Sequence, residues 1–287
     1  MAKSKPAQRE RASFQGELGA FSQQAIRQLL GPDAEPVPHQ RFIEAFRALE
    51  KGEVTAAVLP IENTLHGSVH ENYDNLLQFN LPIVAETSVR IVHNLIACPG
   101  VPFSKVKKVY SHPVAINQCL QFFEKNPQVE RVPFYDTAGS VKMLMEQKLT
   151  DAAAIASSLA AETYGARILK KSIEDDRQNF TRFFLLRRPG KTAAGDPQDK
   201  HAHWKTSVVF TTRNTPGSLY RSLSAFALRD ISLAKIESRP LRGKPWEYLF
   251  YLDFHAHVDE VRVQNALRHL AEIADMIRIL GCYPKGF

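Results

Sequence analysis

From Phe14 to about Arg188 the chain alternates short apolar runs with stretches whose apolar residues recur at helical spacing. That alternation restricts it to layered α/β architectures, in which helices cover the faces of a sheet. Phe42, Ala45, Phe46 and Leu49 fall at i, i+3, i+4 and i+7, the stripe of a helix with one buried face, and VTAAVLP (54–60) follows as a buried strand. The apolar segment VKKVYS (106–111) precedes a second stripe, Ile116, Cys119, Leu120 and Phe123, which predicts one helix through those residues. DAAAIAS (151–157) and FTRFFLL (180–186) read as further strands.

The pattern stops in RPGKTAAGDPQDKHAH (188–203), which has two prolines, two glycines and no apolar periodicity, and therefore reads as a linker. A second block follows it. A strand from Ser207 to Thr211 leads to a helix with Leu219, Leu223 and Phe226 on one face, then to a strand near Ser232–Glu237. An alternating strand places Tyr248, Phe250, Leu252 and Phe254 on one side; a helix with Val263, Leu267, Leu270 and Ala274 and a strand near Ile277–Leu280 complete the order. This is βαββαβ, a ferredoxin-like small domain.

The net charge of +7 raises the question of a nucleic-acid partner, and its distribution argues against one. Residues 1–12 carry +3 and residues 187–205 another +3, so a tail and a linker hold nearly all the excess and no basic face interleaved with aromatics remains. No apolar run approaches a membrane span, and no apolar run of signal-peptide length stands behind the basic N-terminus. A cytoplasmic address is the expectation. Cys98, Cys119 and Cys282 are odd in number, widely spaced and without a CxxC pair, which suggests packing residues rather than disulfides or a zinc site. His66 and His70 stand at i, i+4 in HGSVH, but no cluster of histidines and cysteines completes a metal-ligand set, and no metal is expected.

Four strand-to-helix junctions in the first block carry small polar residues: FQGELGAFS (14–22), PIENTLHGSV (60–69), SHPVAINQC (111–119) and DTAGS (136–140). Helix N-termini present unpaired N–H groups and the positive end of the helix dipole, and in α/β sheets such ends gather at the carboxyl edge of the strands. An anionic small molecule is the ligand this favours. For any single junction, capping by Ser68, Ser111 or Thr137 is the alternative, and His112 before Pro113 serves a turn as readily as a site. No nucleophile–base pair or glycine-rich phosphate loop emerges from spacing.

The same segments, with LPIENTLHGSVHENYDNLL, DTAGSVKM and above all NFTRFF, resemble in order and spacing the successive motifs of prephenate dehydratases. The second block, with IESRP (236–240) and LGCYP (280–284), is similar to that family's ACT module. The resemblance implies a catalytic domain over 11–190, with two lobes (11–85 with 180–190, and 86–179) like a type II periplasmic binding protein, and an ACT regulatory domain over 205–287. About a dozen residues precede the first motif, so neither a chorismate mutase segment nor the long transit region of plant arogenate dehydratases is expected.

Carried onto this sequence, the resemblance gives Thr181, Asn63, Ser111 and Gln118 the catalytic positions, with Glu62, Thr64, Ser68, Thr137, Ser140, Asn179 and Arg182 as substrate-binding neighbours or supports. Arg182 would either bind a carboxylate or order its strand through an ion pair. The implied reaction is a decarboxylative elimination: prephenate loses its ring carboxylate as carbon dioxide and its ring hydroxyl as water, giving phenylpyruvate without a cofactor. Thr181 would serve as a hydrogen-bond donor or relay, because an aliphatic hydroxyl holds its proton too tightly for a conventional general acid. Glu62 would be a proton source only if it faced the cleft and burial raised its pKa.

In the second domain Asn214, Gly217, Ser218 and Leu219, with Glu237, Ser238 and Arg239, would enclose phenylalanine as allosteric effector. Ser218 stands where the family commonly has alanine. A homodimer or homotetramer is implied, without nucleic-acid or membrane partners. Arogenate dehydratase is the alternative within the same chemistry, and a non-catalytic amino-acid-sensing binding protein is the alternative outside it.

Overall fold

A computed structural model describes residues 9–190, 203–241, 243–244 and 246–286. Most of the expected linker, 191–202, lies outside the described residues. The chain forms two compact units, one of Met1–Asn75 with Thr87–Phe184 and one of Leu76–Glu86 with Leu185–Phe287. No helix of the described residues is long and apolar enough to cross a membrane.

The first unit opens with β1 (Arg11–Gln15), α1 (Phe21–Leu30), β2 (Glu35–His39), α2 (Phe42–Lys51) and β3 (Ala56–Asn63), two β-α-β passes that make β1 parallel to both neighbours. The short β4 (Gly67–Ser68) folds back antiparallel on β3, setting Glu62 opposite Ser68 and Asn63 opposite Gly67. After α3 (His70–Gln78) and β5 (Ile83–Arg90), the second lobe is built from β6 (Asn94–Ala97), β7 (Lys108–Ser111), α4 (Pro113–Asn117), α5 (Leu120–Glu124), β8 (Glu130–Pro133), α6 (Thr137–Gln147), β9 (Ala152–Ala156), α7 (Ser158–Tyr164) and β10 (Arg167–Lys170). Its sheet runs β10-β6-β9-β7-β8, with β9 fully buried at the centre. Four of its five residues are alanines, small enough for neighbouring elements to pack closely on it. The chain then returns as β11 (Phe180–Leu186), which lies beside β3 in the order β11-β3-β1-β2. These two sheets give the first unit the two-lobed form that the resemblance implies.

The stripe predicted on 42–49 is α2, with Ala45, Phe46 and Leu49 fully buried. The single helix predicted through Ile116–Phe123 is instead broken into α4 and α5. Cys119 leaves the helical region at φ −130°, ψ 33°. The cause is remote in sequence: the Asp175 carboxylate accepts from the backbone N–H groups of Leu120 (2.7 Å) and Gln121 (3.0 Å), starting a new helix with an external cap.

The second unit contains β12 (Trp204–Thr212), α8 (Ser218–Ala227), β13 (Leu233–Pro240), β14 (Tyr248–Phe254), α9 (Val261–Ile273) and β15 (Ala274–Pro284). The order β13-β14-β12-β15 is the ferredoxin-like arrangement expected from βαββαβ. Val208, Phe210, Phe226, Leu252, Phe254, Val263 and Leu270 form its core under α8 and α9, with Phe250 packed against them.

The alternation in β14 is less two-sided than the sequence suggests, because Leu249, Tyr251 and Asp253 are buried as well. On that face Asp253 accepts from Ser207 Oγ at 2.6 Å, and Ser207 also bonds the Tyr283 hydroxyl at 2.7 Å. The segment Leu76–Glu86 is tied to the same unit by the Arg278 guanidinium, which donates to the carbonyls of Leu77 and Phe79. A buried Lys205–Glu86 pair at 2.6 Å adds a second tie.

Candidate active site

A cavity of about 620 Å³ opens within the first unit between its two lobes. The strand ends Gln15 and Asn63 line it from the first sheet, with Thr181 of β11, while His93, Gln118, Asp136 and Thr137 line it from the second. The first turns of α1, α2, α3 and α6 also reach the cavity, through Phe21 and Ser22, Arg41 and Phe42, Glu71, and Thr137. Their N–H groups and dipoles favour a bound anion. Arg41 is the one Lys or Arg among the lining residues, and its guanidinium already pairs with Glu44 at 2.9 Å. The cavity wall thus offers an anion mostly uncharged donors.

Asn63 organises the floor of the cavity. Its Nδ2 group donates to Asn179 Oδ1 (2.7 Å), Thr181 Oγ1 (3.0 Å) and the Phe180 carbonyl (3.1 Å), while its Oδ1 accepts from the backbone N–H groups of Leu65 and His66. Because Thr181 Oγ1 accepts from Asn63, its own proton is available to something else, and a hydroxyl that accepts one hydrogen bond donates a stronger one. Thr64 stitches the same strands together, donating to the Gln178 carbonyl and accepting from the Phe180 N–H.

The expected site residues separate into two groups. Asn63, Gln118, Thr181, Ser68 and Thr137 line the cavity. Ser111 does not: it is fully buried and donates to the Ile155 carbonyl at 2.7 Å. Ser140 is equally buried and turns back on the Thr137 carbonyl. Asn179 is buried beneath Asn63. Glu62 and Arg182 face each other at 3.7 Å, with the guanidinium 4.7 Å over the Phe184 ring, and neither lines the cavity. Thr64 is likewise outside it.

Gln118 sits at the break between α4 and α5, and its side chain bridges two imidazoles. Its Oε1 lies 2.7 Å from His93 Nε2 and its Nε2 lies 3.1 Å from His66 Nδ1. Burial is the main influence on His93 and pushes its pKa down, so the ring is neutral at neutral pH. Asp136 caps α6 through the Gly139 N–H at 2.7 Å, and burial foremost, then nearby Glu17, lifts its carboxyl above the ordinary range. Arg41, His66, His93 and Asp136 were not singled out from sequence. His66 and Asp136 lie within the junction segments PIENTLHGSV and DTAGS, while Arg41 and His93 fall outside all four.

A smaller cavity of about 230 Å³ lies in the second unit, lined by Asn214, Gly217, Ser218 and Leu219 with Tyr220, Tyr248 and Phe250. Glu237, Ser238 and Arg239 stand on β13 and do not line it, although Ser238 is the register partner of Phe250.

Residues 12–191 match the family model of prephenate dehydratase. The chain belongs to the prephenate dehydratase family. Relatives of this prephenate dehydratase family member include the chloroplastic arogenate dehydratase/prephenate dehydratase 2 of Arabidopsis thaliana, 44% identical over 96% of this chain and 73% of that protein. Arogenate dehydratase 2 of Petunia hybrida is 43% identical over 96% and 72%. Among solved structures, the prephenate dehydratase of Arthrobacter aurescens in complex with L-Phe superposes with a TM-score of 0.86 at 33% identity, covering 96% of this chain and 90% of that one. GqqA, described as a quorum-quenching acylase, superposes at 0.87 with 32% identity over 96% and 98%. Fold alone therefore does not select the reaction.

Proposed function

We propose that the chain is a prephenate dehydratase that turns prephenate into phenylpyruvate in the cavity of its first unit, residues 11–190 forming the catalytic domain. The observation that carries the reading is the Asn63–Thr181 hydrogen bond at the edge of a cavity ringed by helix N-termini. As the bond between the ring and its carboxylate breaks, carbon dioxide leaves and the electron pair moves through the ring. The carbon–oxygen bond to the ring hydroxyl then breaks, and the departing oxygen leaves as water once it gains a proton. Thr181, polarised by Asn63, donates a hydrogen bond to that oxygen, where charge develops only in the transition state. Gln118 and Asn63 position the groups that hold the substrate, and Ser111, Ser140, Asn179, Thr64 and the Glu62–Arg182 pair support the strands and helices that carry the contacts.

Gln118→Ala and Asn63→Ala are each expected to lower kcat/KM by about tenfold or more in steady-state assays. Unchanged kinetics in both variants would remove the cavity from the account.

Arogenate is the second substrate to consider, since relatives carry that name and the carboxylates of Glu71 and Asp136 line the cavity, where an ammonium group finds acceptors. Purified protein assayed with each substrate separately decides between them: a higher kcat/KM on prephenate supports the first reading, and a higher value on arogenate overturns it.

Residues 205–287 form an ACT regulatory domain that takes phenylalanine in the smaller cavity, a reading supported by the L-Phe complex of the Arthrobacter aurescens relative. The assembly is a homodimer or homotetramer and its address is cytoplasmic. Phenylalanine regulates only if it binds one conformational state more tightly than the other. Calorimetry on the full chain should find phenylalanine binding that persists in Thr181→Ala and weakens by about tenfold in Leu219→Ala, since a lost apolar contact is worth at least that much. Phenylalanine that competes with substrate would contradict this assignment.

A further inference from the structure

The bridge through Gln118 fixes more than the position of one amide. His93 is buried, and its Nδ1 has no hydrogen-bond partner among the described residues. With Gln118 Oε1 at 2.7 Å, the proton of the neutral His93 ring sits on Nε2 and the solitary Nδ1 carries a lone pair. Turning the Gln118 amide over would reverse this, leaving an N–H donor buried without an acceptor, and buried donors are left unpaired more rarely than acceptors. The amide orientation is therefore selected from the buried end. Its Nε2 then donates to His66 Nδ1, so the His66 proton must sit on Nε2. That nitrogen has no partner among the described residues, and His66 lines the cavity.

Resting on the cavity's assignment as the substrate site, we infer that His66 binds a carboxylate of the substrate through Nε2–H, with Gln118 and His93 as positioning residues that lock its tautomer. The charge balance of the site gives the reason for a neutral donor. Arg41 is the one Lys or Arg lining the cavity and already pairs with Glu44, so a substrate with two carboxylates also needs contacts from uncharged N–H groups. A carboxylate that must leave as carbon dioxide is also better held by a neutral donor than by a cation, since a strong ion pair would favour the charged ground state over the transition state in which that charge moves into the ring. The loop that carries His66 is anchored to the same Asn63 that bonds Thr181, which joins this donor to the floor of the site.

The test combines kinetics with nitrogen NMR of the imidazoles. In the wild-type protein, ¹⁵N shifts should report His66 with its proton on Nε2, and His93→Phe should turn that signal toward a mixture of tautomers. His66→Leu should lower kcat/KM by about tenfold or more, chiefly through KM, and His66→Gln, whose amide N–H reaches as far as Nε2, should recover most of the loss. A His66 proton on Nδ1 in the wild type, or a His66→Leu variant within about twofold of wild type, would overturn the inference. If His93→Phe does not fold, the wild-type tautomer and the His66 variants still decide. Thr181→Ala in the same assays separates this outcome from failure of the site itself: loss of turnover there with a silent His66→Leu overturns only the role of His66, whereas silent Thr181→Ala overturns the site.

Discussion

Thr181→Ala should leave a folded protein whose kcat falls by about a hundredfold, with KM changing far less. The hydroxyl is held from one side by Asn63 Nδ2 at 3.0 Å and lies on the cavity wall, so its donor capacity is directed to the bound molecule. The loss should appear in kcat, because the leaving oxygen gains charge only as the carbon–oxygen bond breaks. Thr181→Ser, which keeps the hydroxyl, should retain most of the activity. An alanine variant with near-normal turnover would remove the hydroxyl from the chemistry and leave Thr181 as a strand residue.

Gly19→Ala is expected to be among the most damaging single substitutions in the first unit, costing about 3 kcal/mol of stability. Gly19 has φ +89°, where a side chain is already strained, and an added Cβ would stand 2.5 Å from the Ala160 Cα, well inside van der Waals contact. Its carbonyl also accepts from Ser157 Oγ, the residue that caps α7, so the loop after β1 in the first lobe is seated on the start of a helix in the second. A methyl group there would push the two lobes apart and widen the cavity as well as weaken the fold. Gly165→Ala is the control: its φ of +66° and ψ of 26° lie in the left-handed helical region, yet nothing stands within 4 Å, so it should cost only about 1 kcal/mol. Equal denaturation midpoints for the two variants in urea would show that the close approach at Ala160 has no energetic consequence.

The parts of this protein legible in sequence are those fixed by local pattern. The stripe at Phe42–Leu49, the buried run Ala152–Ala156 and the successive elements of the βαββαβ block are each set by residues within one element, and each stands in the structure. The break between α4 and α5 was illegible because its cause, the Asp175 carboxylate, lies far along the chain from the N–H groups it caps. The same holds for the site. Motif resemblance brought forward Asn63, Gln118 and Thr181, which do meet at one cavity. It did not say which motif residues face inward: Ser111 and Ser140 spend their hydroxyls on neighbouring carbonyls. Nothing in the spacing relates His66 to His93, since what joins them is a single glutamine placed by the helix break.

The substrate is proposed to react in the cavity holding Asn63, Gln118 and Thr181. A crystal structure of the protein with the product phenylpyruvate tests it most directly. The product should lie in that cavity, its carboxylate against the helix N-termini and its phenyl ring near the Thr181 hydroxyl. Phenylpyruvate found only in the smaller cavity of the second unit, with the cavity of the first unit empty at saturating concentration, would contradict it.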